Sequence, residues 1–349
     1  MNRATTTLES KIETVIMGRT ITAKHDRSVL LAVALICLSV CVCPSCGASK
    51  DKPVATLRGH KDMIMGLAFS PDGTLLASGS HDGSVCLWDI KKRQVRNELH
   101  GHEPGHFILA VAFSRDGKLL ASGSSDKTVK LWDVDTGKEQ STLPGHADSV
   151  ESVAFSPTSD VLASAAAGNV LIWELPIGKQ IAKLDTDTRK ATKVAFSPDG
   201  KTLAAAGLSD TVELWDLTTF EKKASLETRG FKFAVAYSPD GATIIALSSH
   251  AAVDLWDART HKLRDRHLAD SSLRNALSLA VFPDSKTIAV SLMEGVPCVD
   301  SATGKKVAFF PVREGAEGVV TSIAVSPNGE TLAVADDMEI KLFDATIGD

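Results

Sequence analysis

Cysteine is scarce outside the first 48 residues of this sequence. Four of the six cysteines lie between residues 37 and 46, and only Cys86 and Cys298 lie in the rest of the chain. A fold that depends on disulfides needs more cysteines than two over such a length. We therefore expect both of these cysteines to be free thiols in a fold stabilised by a hydrophobic core.

Aromatic residues and excess positive charge are also scarce. The chain has 1 Tyr and 5 Trp, and its net charge at neutral pH is −5. Proteins that bind nucleic acid present basic surfaces, or exposed aromatic rings on which bases stack. Because all five tryptophans occupy the repeat position described below, none is left for stacking, and no nucleic-acid partner is expected.

Motifs that carry chemistry are missing as well. There is no Gly-x-Ser-x-Gly sequence, no glycine-rich phosphate loop and no carboxylate pair that stands apart from the repeat. His100, His102 and His106 form one local cluster that could bind a transition metal. However, His102 belongs to a repeat and His100 ends a predicted strand. We predict no catalytic residue, no cofactor and no metal site, with a metal at these histidines as the alternative.

The N-terminal part of the chain contains an apolar run at residues 29–42, which is too short to span a membrane comfortably. Charged residues precede it and small residues follow it, which is the pattern of a secretory signal. We predict that residues 1–48 are a leader and that the protein is exported, either to the periplasm or medium or as a protein anchored by its N-terminus. Any contact with a membrane is expected through this segment alone.

Three fates of the leader remain open. It could be cleaved after Ala48, it could be retained as an anchor, or Cys46 could accept a lipid because small residues flank it. The biological start is open too, since Met17 would give the leader a more ordinary length than Met1.

A repeat of about 42 residues runs through the rest of the sequence. Its clearest marker is a tryptophan followed by an acidic residue, with spacings of 44, 41, 42 and 41: Trp88-Asp89, Trp132-Asp133, Trp173-Glu174, Trp215-Asp216 and Trp256-Asp257. The same period leads to two degenerate copies, Val299-Asp300 and Phe343-Asp344. The sequence therefore contains seven repeats.

Each repeat also contains a tight turn between two short apolar runs, written Ser-Pro-Asp-Gly in its full form, as at residues 70–73. Proline, aspartate and glycine in this order favour a hairpin turn. A third run, which alternates apolar and polar residues, leads into the tryptophan, and a more polar fourth run follows it. Four antiparallel strands per repeat correspond to one blade of a β-propeller.

These motifs resemble the WD-repeat family, whose units begin with Gly-His, as at Gly59-His60, Gly101-His102 and Gly145-His146. The resemblance covers residues 53–349. It implies an all-β domain over residues 49–349, a seven-bladed propeller with four-stranded antiparallel blades. The spare run Val54-Ala55-Thr56-Leu57 is expected to close the ring as the outer strand of the last blade.

The resemblance also implies a hydrogen-bonded chain of four side chains within a blade. These tetrads map to His60, Ser78, Asp82 and Trp88 in the first repeat, and to His102, Ser122, Asp126 and Trp132 in the second. The third repeat keeps His146, Ser164 and Trp173 but has Gly168 and Asn169 near the place of the aspartate. We therefore expect complete tetrads in the first two blades alone.

In this family the usual partner site is the face with the Gly-His loops, called here the Gly-His face. The candidates on it are Lys61, Met63, His81, Phe107, Asp148, Arg189, Phe231, Arg274 and Asp336. Met63, Phe107 and Phe231 are apolar in loops that are usually polar. They are either contact anchors for a partner or residues buried at blade junctions.

The sequence thus predicts an exported, rigid and non-catalytic scaffold for a protein or peptide partner. The alternative is a propeller that binds a small ligand or metal at its central channel, including a hydrolase or oxidoreductase. Basic residues after the Trp-Asp motifs, such as Lys91-Lys92-Arg93 and Lys222-Lys223, either bind an anionic partner or protect exposed outer strands. Neither the partner nor the oligomeric state follows from the sequence.

Overall fold

The computed structural model describes residues 52–187, 191–228, 230, 232–248, 252–268, 276–312 and 319–346. These residues form 28 strands in seven four-stranded antiparallel sheets. This confirms the predicted seven-bladed propeller. Within the same ranges no helix is long and apolar enough to cross a membrane.

Each repeat of the sequence supplies the strands of one blade, in chain order from the innermost to the outermost. The first strand is β1 (Ala55–Arg58). Blades 1 and 2 contain β2 (Ile64–Phe69), β3 (Leu75–Ser80), β4 (Val85–Asp89) and β5 (Gln94–Leu99), then β6 (Ile108–Phe113), β7 (Leu119–Ser124), β8 (Val129–Asp133) and β9 (Glu139–Leu143). Blades 3 and 4 contain β10 (Ser152–Phe155), β11 (Val161–Ala166), β12 (Asn169–Glu174) and β13 (Lys179–Asp185), then β14 (Ala191–Phe196), β15 (Thr202–Gly207), β16 (Thr211–Asp216) and β17 (Lys222–Glu227). Blades 5 and 6 contain β18 (Lys232–Tyr237), β19 (Thr243–Ser248), β20 (Ala252–Asp257) and β21 (Leu263–Leu268), then β22 (Leu279–Val281), β23 (Thr287–Val290), β24 (Gly295–Asp300) and β25 (Lys306–Pro311). Blade 7 contains β26 (Val320–Val325), β27 (Thr331–Asp336) and β28 (Glu339–Asp344).

The ring closes through β1, which is the fourth strand of blade 7. β1 pairs antiparallel with β28, with Leu57 opposite Ile340, and the N–H of Val54 donates to the carbonyl of Leu342 at 2.7 Å. Each innermost strand contacts the innermost strand of the next blade, and β26 contacts β2 in the same way. The predicted closure is therefore confirmed, and β28 is not left as an open edge.

The Ser-Pro-Asp-Gly turns link neighbouring blades. In blade 1 the hydroxyl of Ser70 donates to Asp72 at 2.6 Å, and Gly73 has a φ of 71°, a conformation that glycine adopts without a steric penalty. A β-carbon at Gly73 would lie 3.5 Å from the ring of Pro327 in the blade 7 turn. One turn therefore rests on the next around this face, which is called here the turn face.

Both surfaces of each blade are buried against its neighbours. Leu87 and Leu99 of blade 1, for example, share an apolar cluster with Trp132 of blade 2. The alternation of apolar and polar residues in the third strands therefore does not mark a solvent-exposed side. Glu213 in β16 is fully buried, and Lys130 in β8 is 9% exposed. The reason is that the third strand lies inside a stack of sheets, so its polar residues need partners within the protein.

Candidate functional site

The side chains of His60, Ser78, Asp82 and Trp88 form one hydrogen-bonded chain in blade 1. The indole Nε1–H of Trp88 donates to Oγ of Ser78 at 2.7 Å, and this oxygen lies 2.7 Å from Nε2 of His60. Nδ1 of His60 lies 2.9 Å from Oδ2 of Asp82. Since Ser78 accepts from the tryptophan, its own hydrogen goes to Nε2, and the ring then donates from Nδ1 to the carboxylate.

Blade 2 repeats this arrangement at His102, Ser122, Asp126 and Trp132. The Trp132 Nε1 to Ser122 Oγ distance is 2.8 Å, and both contacts of His102 are 2.7 Å. Burial opposes ionisation of Asp126, but hydrogen bonds from Thr128 and His102 prevail and lower its pKa to about 2. Burial also lowers the pKa of His102 in spite of Asp126.

These Ser, His and Asp side chains have the residue types of a hydrolase triad, but their surroundings do not suit a nucleophile. Ser78 and Ser122 are fully buried, and the oxygen of each accepts a hydrogen bond from an indole. A substrate could not reach these hydroxyls without displacing a tryptophan from the core. The tetrads therefore hold each blade together and fix the loop that contains its histidine.

Blade 3 has only part of the chain. His146 Nε2 lies 2.6 Å from Ser164, and Trp173 donates to the same hydroxyl at 2.8 Å. Nδ1 of His146 is buried and makes no hydrogen bond with the described residues. Burial lowers the pKa of His146 to about 4, and the neighbouring Asn169 offsets only part of that shift.

A partly exposed strip of three apolar residues and one histidine crosses blades 7, 1 and 2 on the Gly-His face. It consists of Met338, Met63, His81 and Phe107, and we call these four residues the apolar strip. Met338 is 44% exposed and Phe107 is 42% exposed, whereas Met63 and His81 are partly buried. The rings of His81 and Phe107 stack with their centroids 4.2 Å apart. Met338 was not predicted, although it interrupts a loop whose neighbours in the sequence are acidic.

Backbone hydrogen bonds hold the strip in place. The N–H of His81 donates to the carbonyl of Met63 at 2.8 Å, and the N–H of Ile64 donates to Asp337 at 2.9 Å. The carbonyl of Phe107 accepts from Ser125 at 2.9 Å. Backbone bonds therefore tie the loops of blades 7 and 1 to each other and hold the Phe107 loop within blade 2, and the stacked rings of His81 and Phe107 connect blades 1 and 2.

The other predicted partner residues differ in their surroundings. Lys61 and Asp148 are exposed on the same face. Asp336 is only 6% exposed, and its carboxylate lies 2.6 Å from Nζ of Lys341. The expectation that Asp336 offers a surface contact was wrong, because this residue ends β27 inside the blade. Arg189, Phe231, Arg274 and Cys46 lie outside the described residues.

The three clustered histidines do not converge. His102 belongs to its tetrad, His100 faces Glu98 at 3.1 Å, and His106 is partly buried with no bond to its Nδ1 in the described region. The described residues contain no group of three or more histidine, cysteine or acidic side chains that could bind a metal. Cys86 and Cys298 are both buried and free, and burial raises the pKa of each to about 12.

The innermost strands have small residues at the position where neighbouring blades meet, with one exception. Ser152, Ser278 and Ser322 at this position each accept a hydrogen bond from a backbone N–H of the next blade. In blade 4 the position is Lys193. Burial lowers the pKa of this lysine although Glu151 acts in the opposite direction. The inner wall is otherwise largely apolar in the described strands.

Comparisons with known proteins agree with this architecture. The family model described as IFT122 first beta-propeller matches residues 91–344, and the model described as WD domain, G-beta repeat matches residues 51–89. Similar stretches occur in WD repeat-containing protein 18 of Rattus norvegicus, with 51% identity over 37 residues, 11% of this chain and 9% of that protein. Superkiller complex protein 8 of Dictyostelium discoideum is 44% identical over 55 residues, 16% of this chain and 18% of that protein. Striatin-4 of Homo sapiens is 38% identical over 55 residues, 16% of this chain and 7% of that protein.

The matched stretches span less than a fifth of each of these relatives, so they correspond to one or two repeats. The family model is more extensive, since it matches most of the chain and includes the degenerate sixth and seventh repeats. With seven blades in one closed ring, the chain belongs to the WD-repeat β-propellers of the IFT122 first-propeller family.

Proposed function

We propose that this protein is an exported, non-catalytic propeller that binds a protein or peptide partner through the apolar strip. The observation that supports the proposal is the exposure of Phe107 and Met338 on loops with hydrogen-bonded backbones. WD-repeat propellers generally serve as interaction scaffolds, and one relative is named as a protein of the superkiller complex. The tetrads supply the rigidity that such a platform needs.

The strip suits a partner that has an apolar anchor of its own. Burying a large apolar side chain contributes about 1.5–3 kcal/mol, and contacts of this kind at the centre of an interface dominate binding. Because the loops are already ordered, little conformational entropy is lost on association. Lys61 and Asp62 are exposed beside Met63 and would form part of a polar rim.

Site-specific crosslinking tests this proposal. The full chain is expressed in its native cell with a photoreactive amino acid in place of Phe107, and separately in place of Ile177. Ile177 is 72% exposed in the turn between β12 and β13, on the opposite face, and serves as the control. We expect one protein to crosslink at position 107 and not at position 177.

A matched pair of variants completes the test. Phe107→Ser with Met338→Ser should abolish capture of the crosslinked protein, while Ile177→Ser should retain it, and both should keep the melting temperature of the parent. Equal capture by both variants, or crosslinking from position 177 alone, would contradict a partner site on the strip.

Export is a separate part of the proposal and rests on the uncharged run at residues 29–42. Fractionation of cells that express the full chain should recover it outside the cytosol. A variant with Leu30 and Leu31 changed to Arg should remain in the cytosol. Recovery of both proteins in the same fraction would rule out a signal in this segment.

A further inference from the structure

A cavity of about 540 Å³ opens between blades 4 and 5 on the turn face, away from the apolar strip. The side chains of Lys223, Tyr237, Arg259 and His261 line it, together with Asp199 and Asp240 of the two adjoining Ser-Pro-Asp-Gly turns. Four hydrogen-bond donors from three different segments therefore surround one space.

Neither of the two cations lies within ion-pair distance of a described carboxylate, although the charge of Lys223 acts on Asp199 and Asp216 and that of Arg259 acts on Asp257. Between blades 1 and 2, Arg96 in the fourth strand lies 3.4 Å from Asp135 in the next blade's turn. The same two positions, counted from the repeat tryptophans, hold Lys223 and Arg259 at the junction of blades 4 and 5. Neither forms an ion pair with any residue that the structure describes. Where blades 1 and 2 have an ion pair, blades 4 and 5 therefore have two positively charged side chains beside a cavity.

Tyr237 is the one tyrosine of the chain, and it stands where blades 1 to 4 have Phe69, Phe113, Phe155 and Phe196. Its hydroxyl makes no hydrogen bond within the described residues. Burial and the charge of Asp199 raise the pKa of this phenol. The ring fills the place of a core phenylalanine, and the hydroxyl adds a neutral donor to the cavity.

His261 has a φ of 59°, in a turn where blades 2, 3 and 6 have glycine. Arg93 in blade 1 and Phe220 in blade 4 adopt the same left-handed conformation at this position, so it belongs to the turn, and the feature particular to blade 5 is the imidazole ring. The ring is partly buried, and burial together with the charge of Lys223 lowers its pKa. The ring of His261 thus lies within electrostatic reach of Lys223 on the wall of the cavity, where a bound anion would favour its protonated form.

The two carboxylates of the cavity belong to the repeat. Ser197 donates to Asp199 and Ser238 donates to Asp240, each at 2.6 Å, just as Ser70 does to Asp72 in blade 1. One oxygen of each carboxylate is therefore occupied by its own turn. The charge of Arg264 acts on Asp240, and the charges of Lys201 and Lys223 act on Asp199, so these negative charges are partly offset.

We propose that this cavity binds the phosphate group of a phosphate monoester. A phosphate dianion offers oxygens to the ammonium of Lys223, the guanidinium of Arg259 and the hydroxyl of Tyr237 at once. The cavity is larger than a phosphate group, and its walls include Pro198 and Ala258, against which the organic part of the ligand packs. The monoester is either a soluble metabolite or the headgroup of a lipid, and the two sources share this chemistry.

Titration of the full chain with phenyl phosphate tests the proposal, followed by calorimetry and by the NMR signal of the His261 ring. Saturable binding is expected, with a rise in the pKa of His261, because the dianion favours the charged imidazolium. Arg259→Asp recreates the Arg96–Asp135 pair and should weaken binding by about tenfold or more without loss of stability. Tyr237→Phe restores the residue of blades 1 to 4 and should weaken it by a smaller factor.

Vesicles of phosphatidylcholine with and without phosphatidic acid distinguish the two sources. Binding of phenyl phosphate alone supports a soluble ligand, and additional binding to the phosphatidic acid vesicles that Arg259→Asp abolishes supports a lipid headgroup. No saturable binding of phenyl phosphate to the folded protein at millimolar concentration would overturn the proposal. Equal binding by Arg259→Asp and the parent would overturn it as well.

Discussion

Blades 2 and 4 bury charged side chains at corresponding positions but with the charges exchanged. In blade 2, Lys130 of β8 lies 2.9 Å from Glu139 of β9. In blade 4, Glu213 of β16 lies 3.0 Å from Lys222 of β17, at the same distances from the tryptophan. Where both positions are charged, the two signs are opposite and either order neutralises both charges, whereas blade 1 has Cys86 and Val95 and blade 3 has Leu171 and Gln180 at these positions.

The two blades differ more at the tryptophan. Ser122 accepts the indole hydrogen of Trp132, but its counterpart in blade 4 is Ala205, opposite Glu213. Nε1 of Trp215 is buried with no partner in the described part of the chain, and so is Oε2 of Glu213. Blade 4 thus keeps its shape through apolar packing and the ion pairs of Lys222 with Glu213 and Asp187. It keeps its four strands although it lacks the hydrogen-bonded tetrad that the family resemblance implies.

The largest effect is expected from breaking the blade 4 pair. Lys222→Met leaves the fully buried Glu213 with the backbone N–H of Asp187 as its one partner among the described residues. We expect a loss of about 3–5 kcal/mol in the free energy of unfolding, the usual cost of an uncompensated buried charge. Urea denaturation measures it.

The control is the double variant Glu213→Leu with Lys222→Met, since blade 3 has Leu171 at the first of these positions. It should recover most of the lost stability, because no charge is then buried without a partner. A double variant as unstable as the single one would show that packing, rather than charge, explains the loss.

Acid should distinguish blade 3 from blade 2. The pKa of folded His146 is about 4, below the ordinary 6.5, so the unfolded chain binds the proton more readily. The contribution of this residue is complete above pH 6.5 and decreases as the pH falls toward 4, by about 3 kcal/mol in all. In blade 2 the pKa of His102 is lowered in the same direction, but Asp126 opposes that shift, and the contribution of Asp126 itself is lost at lower pH, between its ordinary pKa of 3.8 and about 2.

The measurement is the free energy of unfolding of the parent and of His146→Gln between pH 7 and pH 4. The decline of the parent should be steeper than that of the variant in this window. Parallel curves would mean that His146 does not titrate differently on folding.

Removing the bridging hydroxyl of blade 2 should have a smaller effect. Ser122→Ala converts this position to the residue of blade 4 and leaves both the indole N–H of Trp132 and Nε2 of His102 without their partner. We expect a loss of about 2 kcal/mol, because two buried polar groups become unsatisfied. Ser141→Ala, at a hydroxyl in the same blade that makes no hydrogen bond in the described structure, is the control and should cost less.

The smallest effect is the reverse change in blade 4. A serine in Ala205→Ser can accept from Trp215 and donate to Oε2 of the opposing Glu213, two atoms that now have no partner. We expect a gain of about 1 kcal/mol, which differential scanning calorimetry would report as a higher melting temperature. A lower melting temperature would indicate that the site has no room for the hydroxyl.

The candidate site was only partly predictable. Phe107 and Met63 stood out in the sequence because they are apolar in polar loops, yet their spacing could not show that His81 and Met338 complete one strip across three blades. Asp336 looked like a loop residue, but the register of β27 with β28 places it inside the blade. Lys223 and Arg259 are separated along the chain, and only the ring brings them to one cavity.

The sequence by itself determined the number of blades, the strands in each, the closing strand and the two complete tetrads. The blades and their strands follow from residue type and a fixed period, which specify turns and buried strands locally, whereas the tetrads follow from the resemblance to the WD-repeat family. The tertiary structure alone decided which polar residues are buried in pairs, which apolar loops stay exposed and where unpaired cations meet. Such outcomes depend on contacts between neighbouring blades, and both surfaces of every blade are buried in the ring, so alternation along one strand cannot reveal them.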